Sequence, residues 1–448
     1  MTAYGASTDN WFSIEELCDR QLGARPSDAS LELMRTLPGE RTEVREFVDR
    51  AFRLMQLAGF HPRHLSPGLA QALAVVIPGF LPGSWGGVVP PFTWEQRHRR
   101  IDDYIAGNPW ARFGPGTTLL DMGCGLPPQT AIDSARRFPT WQVLGADPNF
   151  DPYLLYDADG SYACLRENGS VRYFQPAAID AAALRVLYSD TGRAFRRFQG
   201  LFAELAPHLP VNSGGCQSVA RDGARLVRNP VQEFECENLG IVHAGIGADL
   251  QPVNVIRCFN VLYYFDAAFR ERAEAWALRT LLPDGLLVCG GDLRWTQHAR
   301  YSVYQRVNDR LARREFAFSL DNMRPSAIMP WFCLHDGERE TWLLARLLGA
   351  LREDAVFSGE YDARLDALLA ANAIWERREG FLTAPVTQLP VAQWAAASED
   401  IHARLDREGF VDRAVGILQR AGYHAWRNCV GHIAIRPVDG EAQSPRRT

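Results

Sequence analysis

"LLDMGCGLPP", residues 119–128, decides how the chain is read. Apolar residues run into Asp121, and Gly123 and Gly125 follow it two apart. Glycine tolerates positive φ and lets a ligand approach the backbone without meeting a Cβ. Preceded by "TTLLD" (117–121), the stretch predicts a buried strand that ends in a sharp, bare turn. "PQTAIDSARRF" (128–138) then predicts a helix, and "WQVLGAD" (141–147) a second strand ending in Asp147. Strand, helix and strand in that order predict a parallel βαβ unit, whose ligands lie at the carboxyl ends of the strands.

Asp147 lies 24 residues beyond Gly123. An acid about 20 residues past such a glycine turn accepts hydrogen bonds from a ribose diol, so the ligand is expected to carry a nucleoside. A dinucleotide fits poorly. The third glycine of G-x-G-x-x-G is replaced by Pro128, and Pro127 and Pro128 remove two of the N–H groups a pyrophosphate would use. The turn suits a nucleoside without phosphates. The alternatives are a ligand-free strand-to-helix turn and acids that cap helices.

The same rhythm returns later. "NLGIVHAGI" (238–246) and "VNVIRCF" (253–259) predict strands. "FDAAFRERAEAWALRTLLPDG" (265–285) predicts a helix with Asp266 at its N-cap, and "GLLVCGG" (285–291) a strand buried on both faces. Near the end, "FVDRAVGILQRAGY" (410–423) predicts a helix, and "YHAWRNCVGHIAIRP" (423–437) two short strands.

These stretches together resemble the class I S-adenosylmethionine-dependent methyltransferases. "LLDMGCGLPP" is similar to their first motif and "VLGADP" (143–148) to their second. "VIRCFNVLYYFDAAFRERAEAWALRTLLPDGLLVCGGD" (255–292) resembles strand four to strand five, in the manner of the chemotaxis-receptor (CheR-type) glutamate methyltransferases. The final helix and strands resemble the family's closing hairpin. Leu126 stands where a third glycine is common, and the receptor enzymes have a different first motif, so their substrate is not carried over.

The resemblance implies an α/β fold: a doubly wound, Rossmann-like, mostly parallel sheet with an antiparallel closing hairpin. It implies S-adenosylmethionine as cofactor and methyl transfer as the reaction. Asp121 would orient the turn and approach the cofactor's amino group, Gly123 and Gly125 would allow close approach, and Asp147 would take the ribose. Asn260 would border the sulfonium, with a helix-capping amide as the alternative. Tyr263 and Tyr264 are candidates for the wall of the methyl-transfer pocket, with core packing as the alternative. The motifs name no general base.

Outside the resemblance, residues 1–104 are expected to be a helical N-terminal region. There, "VREFVDRAFRLMQLAGF" (44–60) carries an apolar stripe that Gly59 ends. "PGFLPGSWGGVVPPF" (78–92) is expected to be a linker. The core, 105–298, is interrupted by an insertion at about 151–230 that includes a hairpin over 159–174. Residues 299–409 are expected to be a mostly helical insertion or cap, 410–440 the closing helix and hairpin, and 441–448 a disordered tail. Both insertions are placed to enclose a small acceptor.

The bulk composition narrows the partners. Forty-eight Lys and Arg against 53 Asp and Glu give a net charge of −5, with no global basic field for nucleic acid. "RHRR" (97–100), followed by Asp102 and Asp103, reads as a solvated helix face. The nine cysteines, none in C-x-x-C spacing, read as reduced thiols of a cytoplasmic protein, with Cys124 a small residue that fits its turn. "HPRH" (61–64) has no partner at ligand spacing, so no metal is expected. No apolar run reads as a signal peptide or a membrane span. A small-molecule acceptor is expected first and a protein acceptor second. The competing classes are a methyltransferase-fold scaffold that catalyses nothing and, more remotely, a nicotinamide oxidoreductase.

Overall fold

A computed structural model describes residues 42–60, 93, 95–177, 191–210, 215–292, 299–324, 339–372, 377–378, 381–382 and 391–437. The expectations for 61–64 and 78–92, for the tail, for Cys18 and Cys333, and for most of the N-terminal region lie outside them.

The described residues open with α1 (Thr42–Leu57) and α2 (Arg99–Gly107). Then come β1 (Thr118–Met122), α3 (Gln129–Arg137) and β2 (Gln142–Asp147). β3 (Tyr153–Tyr156), β4 (Tyr162–Leu165), β5 (Val171–Gln175), α4 (Thr191–Leu205), β6 (Gln217–Arg221) and β7 (Ala224–Arg228) follow. The short α5 (Val231–Phe234) leads to β8 (Leu239–His243), β9 (Val253–Phe259), α6 (Ala267–Thr280) and β10 (Leu281–Gly291). β11 (Arg300–Val307) and β12 (Arg310–Phe318) precede α7 (Arg339–Glu353) and α8 (Ala355–Ala371). The described chain closes with β13 (Arg377–Arg378), β14 (Phe381–Leu382), α9 (Val391–Arg407), α10 (Phe410–Arg420), β15 (Ala425–Arg427) and β16 (Ile433–Ile435).

The main sheet runs β15-β16-β12-β11-β10-β9-β1-β2-β8. The five strands from β10 to β8 are mutually parallel. Successive side chains of a strand face opposite sides, and the cores divide accordingly. Leu119, Val143, Val255 and Leu286 pack with Ile101, Ile105 and Ala131 of α2 and α3. Leu120, Ile256 and Leu287 pack with Trp276 and Ala277 of α6. Asp266 caps α6 by accepting from the Phe269 N–H, as its sequence predicts.

Two expectations need correction. The span 299–409 was expected to be mostly helical, but its first part, β11 and β12, is a hairpin of the main sheet, antiparallel to β10 and to each other. The reversal runs through Asn308 at φ 54, and a dense arginine content masks the strand pattern. The closing hairpin β15–β16 therefore pairs with β12, not with β10. Residues 153–228 also hold more strand than the single predicted hairpin. They form a five-stranded antiparallel sheet, β5-β4-β3-β7-β6, with Phe198 and Leu205 of α4 in its core. Elsewhere α1, α7, α8, α9 and α10 form the largest core among the described residues, against β12 and β16.

Candidate functional site

The turn after β1 is built by its hydrogen bonds. The Gly123 and Cys124 N–H groups donate to the Ala146 carbonyl at 2.7 and 3.2 Å, which ties the turn to the end of β2. Gly123 and Gly125 have φ of +84 and +70. The Gly125 N–H donates to Asp147 Oδ2 at 3.1 Å, and the Asn149 N–H to Oδ1 at 2.8 Å. Asp147 therefore faces the turn. Its carboxyl is raised by burial, partly offset by those two backbone donors. Each carboxylate oxygen accepts about two hydrogen bonds, so both retain capacity for a further donor.

The space beside Gly123 is not open. A Cβ there would stand 2.4 Å from Cγ2 of Val261, the residue after Asn260. The glycine admits Val261 from the neighbouring strand end, so the close approach at Gly123 is taken by that methyl. Cys124 is buried, and burial together with Asp121 and Asp147 pushes its thiol well up. It is a packed thiol and no nucleophile.

Asp121 points into the protein beneath the turn. Its Oδ2 accepts from Thr130 Oγ1 at 2.5 Å and forms an ion pair with Arg257 Nη2 at 2.8 Å, and its Oδ1 accepts from Arg257 Nε at 3.1 Å. Arg257 Nη1 also pairs with Asp102 and donates to Ser134 Oγ at 2.7 Å, while Nη2 donates to the Thr130 carbonyl at 2.9 Å. Burial alone would raise the Asp121 carboxyl, but Arg257 outweighs it and holds it low. At Asp102 burial wins and the carboxyl is raised. Burial would lower the Arg257 guanidinium, and the two carboxylates raise it instead. These contacts tie Asp121 to α3 and β9.

The second half of the site gathers where β9 and β10 end. Asn260 has φ 58, and its N–H donates to the Gly290 carbonyl at 2.9 Å. Its amide donates to Asp292 Oδ1 at 2.7 Å and accepts from the Asp292 N–H at 3.1 Å. The Tyr263 hydroxyl donates to Asn260 Oδ1 at 3.3 Å and lies 3.1 Å from that of Tyr264. Burial pushes the Tyr263 phenol well up and that of Tyr264 up to about 12, so both stay protonated at neutral pH.

Sequence reasoning missed Arg97, His98 and Asp292. The reading of 97–100 as a solvated face is wrong for its first half, since Arg97 is 8% and His98 6% exposed. Arg97 Nε donates to Asp292 Oδ1 at 2.9 Å and Nη2 to the Asp292 carbonyl at 2.8 Å. His98 Nε2 lies 3.6 Å from Asp292 Oδ1, with its ring 5.2 Å from that of Phe259. Burial would raise the Asp292 carboxyl, but the charges of His98 and Arg97, with the Asn260 hydrogen bond, hold it well below the usual range. The segment reaches this position because Thr93 exchanges two backbone hydrogen bonds with the Gln175 side chain of β5, at 3.2 and 2.9 Å. The Gln96 N–H donates to Asp133 of α3 at 2.5 Å. The only sequence signal was Asp102, an acid one helical turn before Ile105 on a stripe that is otherwise apolar.

The second sheet also touches the site. Tyr173 donates its hydroxyl to the Leu126 carbonyl at 2.8 Å, which fixes the exit of the glycine turn. Asp249 is exposed in the loop after β8.

No protein-family model and no curated protein matches the sequence. Among solved structures, the chain is similar to an O-methyltransferase family protein from Burkholderia thailandensis, at 12% identity and a TM-score of 0.20. That match covers 43% of this chain and 37% of the other, so little more than a third of that neighbour's length is spanned. It is also similar to an O-methyltransferase family 2 protein from Planctomyces limnophilus, solved in complex with apigenin. There the identity is 12% and the TM-score 0.28, over 95% of this chain and 89% of the other. Neither is a chemotaxis-receptor methyltransferase, and at such scores neither fixes what this chain does.

Among the described residues, no helix is long and apolar enough to cross a membrane, and no group of three His, Cys, Asp or Glu side chains is arranged to hold a metal ion.

Proposed function

We propose that the chain is a class I, S-adenosylmethionine-dependent methyltransferase acting on a small molecule. One observation carries the reading. At the carboxyl end of a parallel sheet, the acid that ends β2 is turned onto the glycine turn that ends β1, with hydrogen-bonding capacity left on both oxygens. That arrangement suits a ribose diol. Pro127 and Pro128 at the start of α3 suit a ligand that brings no phosphate.

The residues present fit such a cofactor. Asp147 would hold its ribose, the backbone at Gly123 and Gly125 would lie against it, and Asn260 would border its reacting end. When bound, the cofactor supplies a methyl group on a sulfonium, ready for in-line displacement. The protein's part is to hold an acceptor in line and keep water out. The second sheet, through Tyr173, and Arg97 and His98 beside Asp292 crowd the site, which favours a small acceptor over a protein.

The second reading is a non-catalytic scaffold on the same fold. The Val261 methyl against Gly123 favours it, because it fills space beside the turn. Native mass spectrometry tests the shared cofactor site, and methyl release onto candidate acceptors then separates enzyme from scaffold. With S-adenosylhomocysteine added, the proposal expects one ligand bound per chain. No uptake of it, or equal uptake of NAD, contradicts the proposal.

A further inference from the structure

The second sheet meets the site with four side chains on one of its faces. Tyr162 lies opposite Gln175, and Cys164 opposite Tyr173, on the paired strands β4 and β5. Residues two apart on a strand share a face, so these two rungs stand side by side. All four side chains are buried. One rung holds the exit of the glycine turn. The Leu126 carbonyl accepts from the Tyr173 hydroxyl at 2.8 Å and from Cys164 Sγ at 3.6 Å, and the Leu126 side chain is packed in the core of the second sheet. The other rung holds Thr93. Gln175 Nε2 donates to the Thr93 carbonyl, and Gln175 Oε1 accepts from the Thr93 N–H and, at 2.8 Å, from the Tyr162 hydroxyl.

We propose that these rungs couple the two halves of the site. Tyr173 is a positioning residue for the cofactor turn, and Gln175 is one for the segment that carries Arg97. Cofactor binding and the seating of that segment then favour each other. The proposal rests on the methyltransferase reading above and adds a role for the second sheet. One residue before Leu126, the Gly125 N–H donates to Asp147, so a shift at Leu126 moves the turn against its acid. Four residues after Thr93, Arg97 donates to Asp292, which also accepts from Asn260.

The link is one short, stiff piece of sheet. β5 is paired with β4 through both rungs, so Tyr173 and Gln175 move together. A glycine turn drawn onto a cofactor carries Leu126 against Tyr173 and Cys164, which seats the β4–β5 face and presents Gln175 to Thr93. Leucine at 126, where the resembling family commonly has glycine, gives the second sheet a side chain to hold. Linkage makes the effect reciprocal: the affinity the cofactor gains from a seated segment is the affinity the segment gains from the cofactor. Rungs that merely joined two bodies of structure would act differently. Removing one would then lower stability and leave the affinity for cofactor alone.

The test uses the full chain, with calorimetry of S-adenosylhomocysteine and amide hydrogen exchange at Thr93 and Gln96. In the wild type, saturating S-adenosylhomocysteine should slow both amides. Each variant is then read at the far half of the site. Tyr173→Phe removes one hydroxyl under the turn, and at saturating ligand it should lose the slowing at Thr93 and Gln96. Gln175→Met removes the amide that holds Thr93, and it should weaken S-adenosylhomocysteine about fivefold or more. Val219→Ala, on β6 at the opposite edge of the second sheet from β5, should lower stability and change neither reading. No slowing in the wild type, slowing retained in Tyr173→Phe, or unchanged affinity in Gln175→Met overturns the proposal. So do equal changes in Val219→Ala, which would mark a general loosening. Should one of the two rung variants fail to fold, the other decides by its own criterion. Failure of the wild type to bind S-adenosylhomocysteine contradicts the methyltransferase reading itself, and this proposal with it.

Discussion

Gly123 holds two constraints in one residue. Its φ of +84 disfavours any side chain, and the Val261 methyl occupies the place of a Cβ. Gly116 shares the first constraint, at φ +80, but a Cβ there would meet nothing within 4 Å. Gly116→Ala should therefore cost about 1 kcal/mol, the backbone strain alone, and Gly123→Ala about 2–3 kcal/mol, with the displaced Val261 added. Urea denaturation of the two variants measures the difference, and equal costs would show that Val261 gives way freely. The residues of this turn were legible because a strand, an acid and two glycines are adjacent in sequence. Val261 was not, because its approach depends on two strands 130 and more residues apart coming side by side. Arg97, His98 and Asp292 were hidden for the same reason: the Arg97–Asp292 bond spans 195 residues, and a run of charges looks solvated until its partner is known.

At the scale of elements, β9 ties the halves of the site together. It lies between β1 and β10, and its Arg257 reaches Asp121 under the turn and Asp102 on α2. An arginine inside "VNVIRCF", a strand buried on both faces, signals a buried ion pair, though the sequence does not name the partners. Arg257→Met leaves two buried carboxylates without their cation and should cost about 3–5 kcal/mol by chemical denaturation. A loss below about 1 kcal/mol would mean that Asp102, already raised by burial, takes up a proton and absorbs the change. The parallel strands were legible as apolar runs with helices between them. The β11–β12 hairpin was not, because its arginines obscure the alternation and the Asn308–Asp309 reversal carries no glycine.

At the scale of the molecule, two bodies of structure flank one sheet. The helices α1, α7, α8 and α10 pack with its antiparallel end, at β12 and β16. The second sheet reaches the glycine turn through Tyr173 and the segment at Thr93 through Gln175. The second sheet and the segment at Thr93 thus bear on the end of the sheet where Asp147 lies, while the helices cover its β12–β16 edge. Their place followed from the length of the interruptions in the βα rhythm. Their internal architecture did not, because contacts within the second sheet join segments as far apart as β3 and β7.

The most direct test of the account is calorimetric titration of S-adenosylhomocysteine into the wild-type protein and Asp147→Ala. The account predicts binding of one ligand per chain to the wild type and a loss of about 10-fold or more in the variant, from hydrogen bonds to a charged acceptor worth about 1.5–3 kcal/mol. No heat of binding to the wild type, or the same affinity in both proteins, would contradict it.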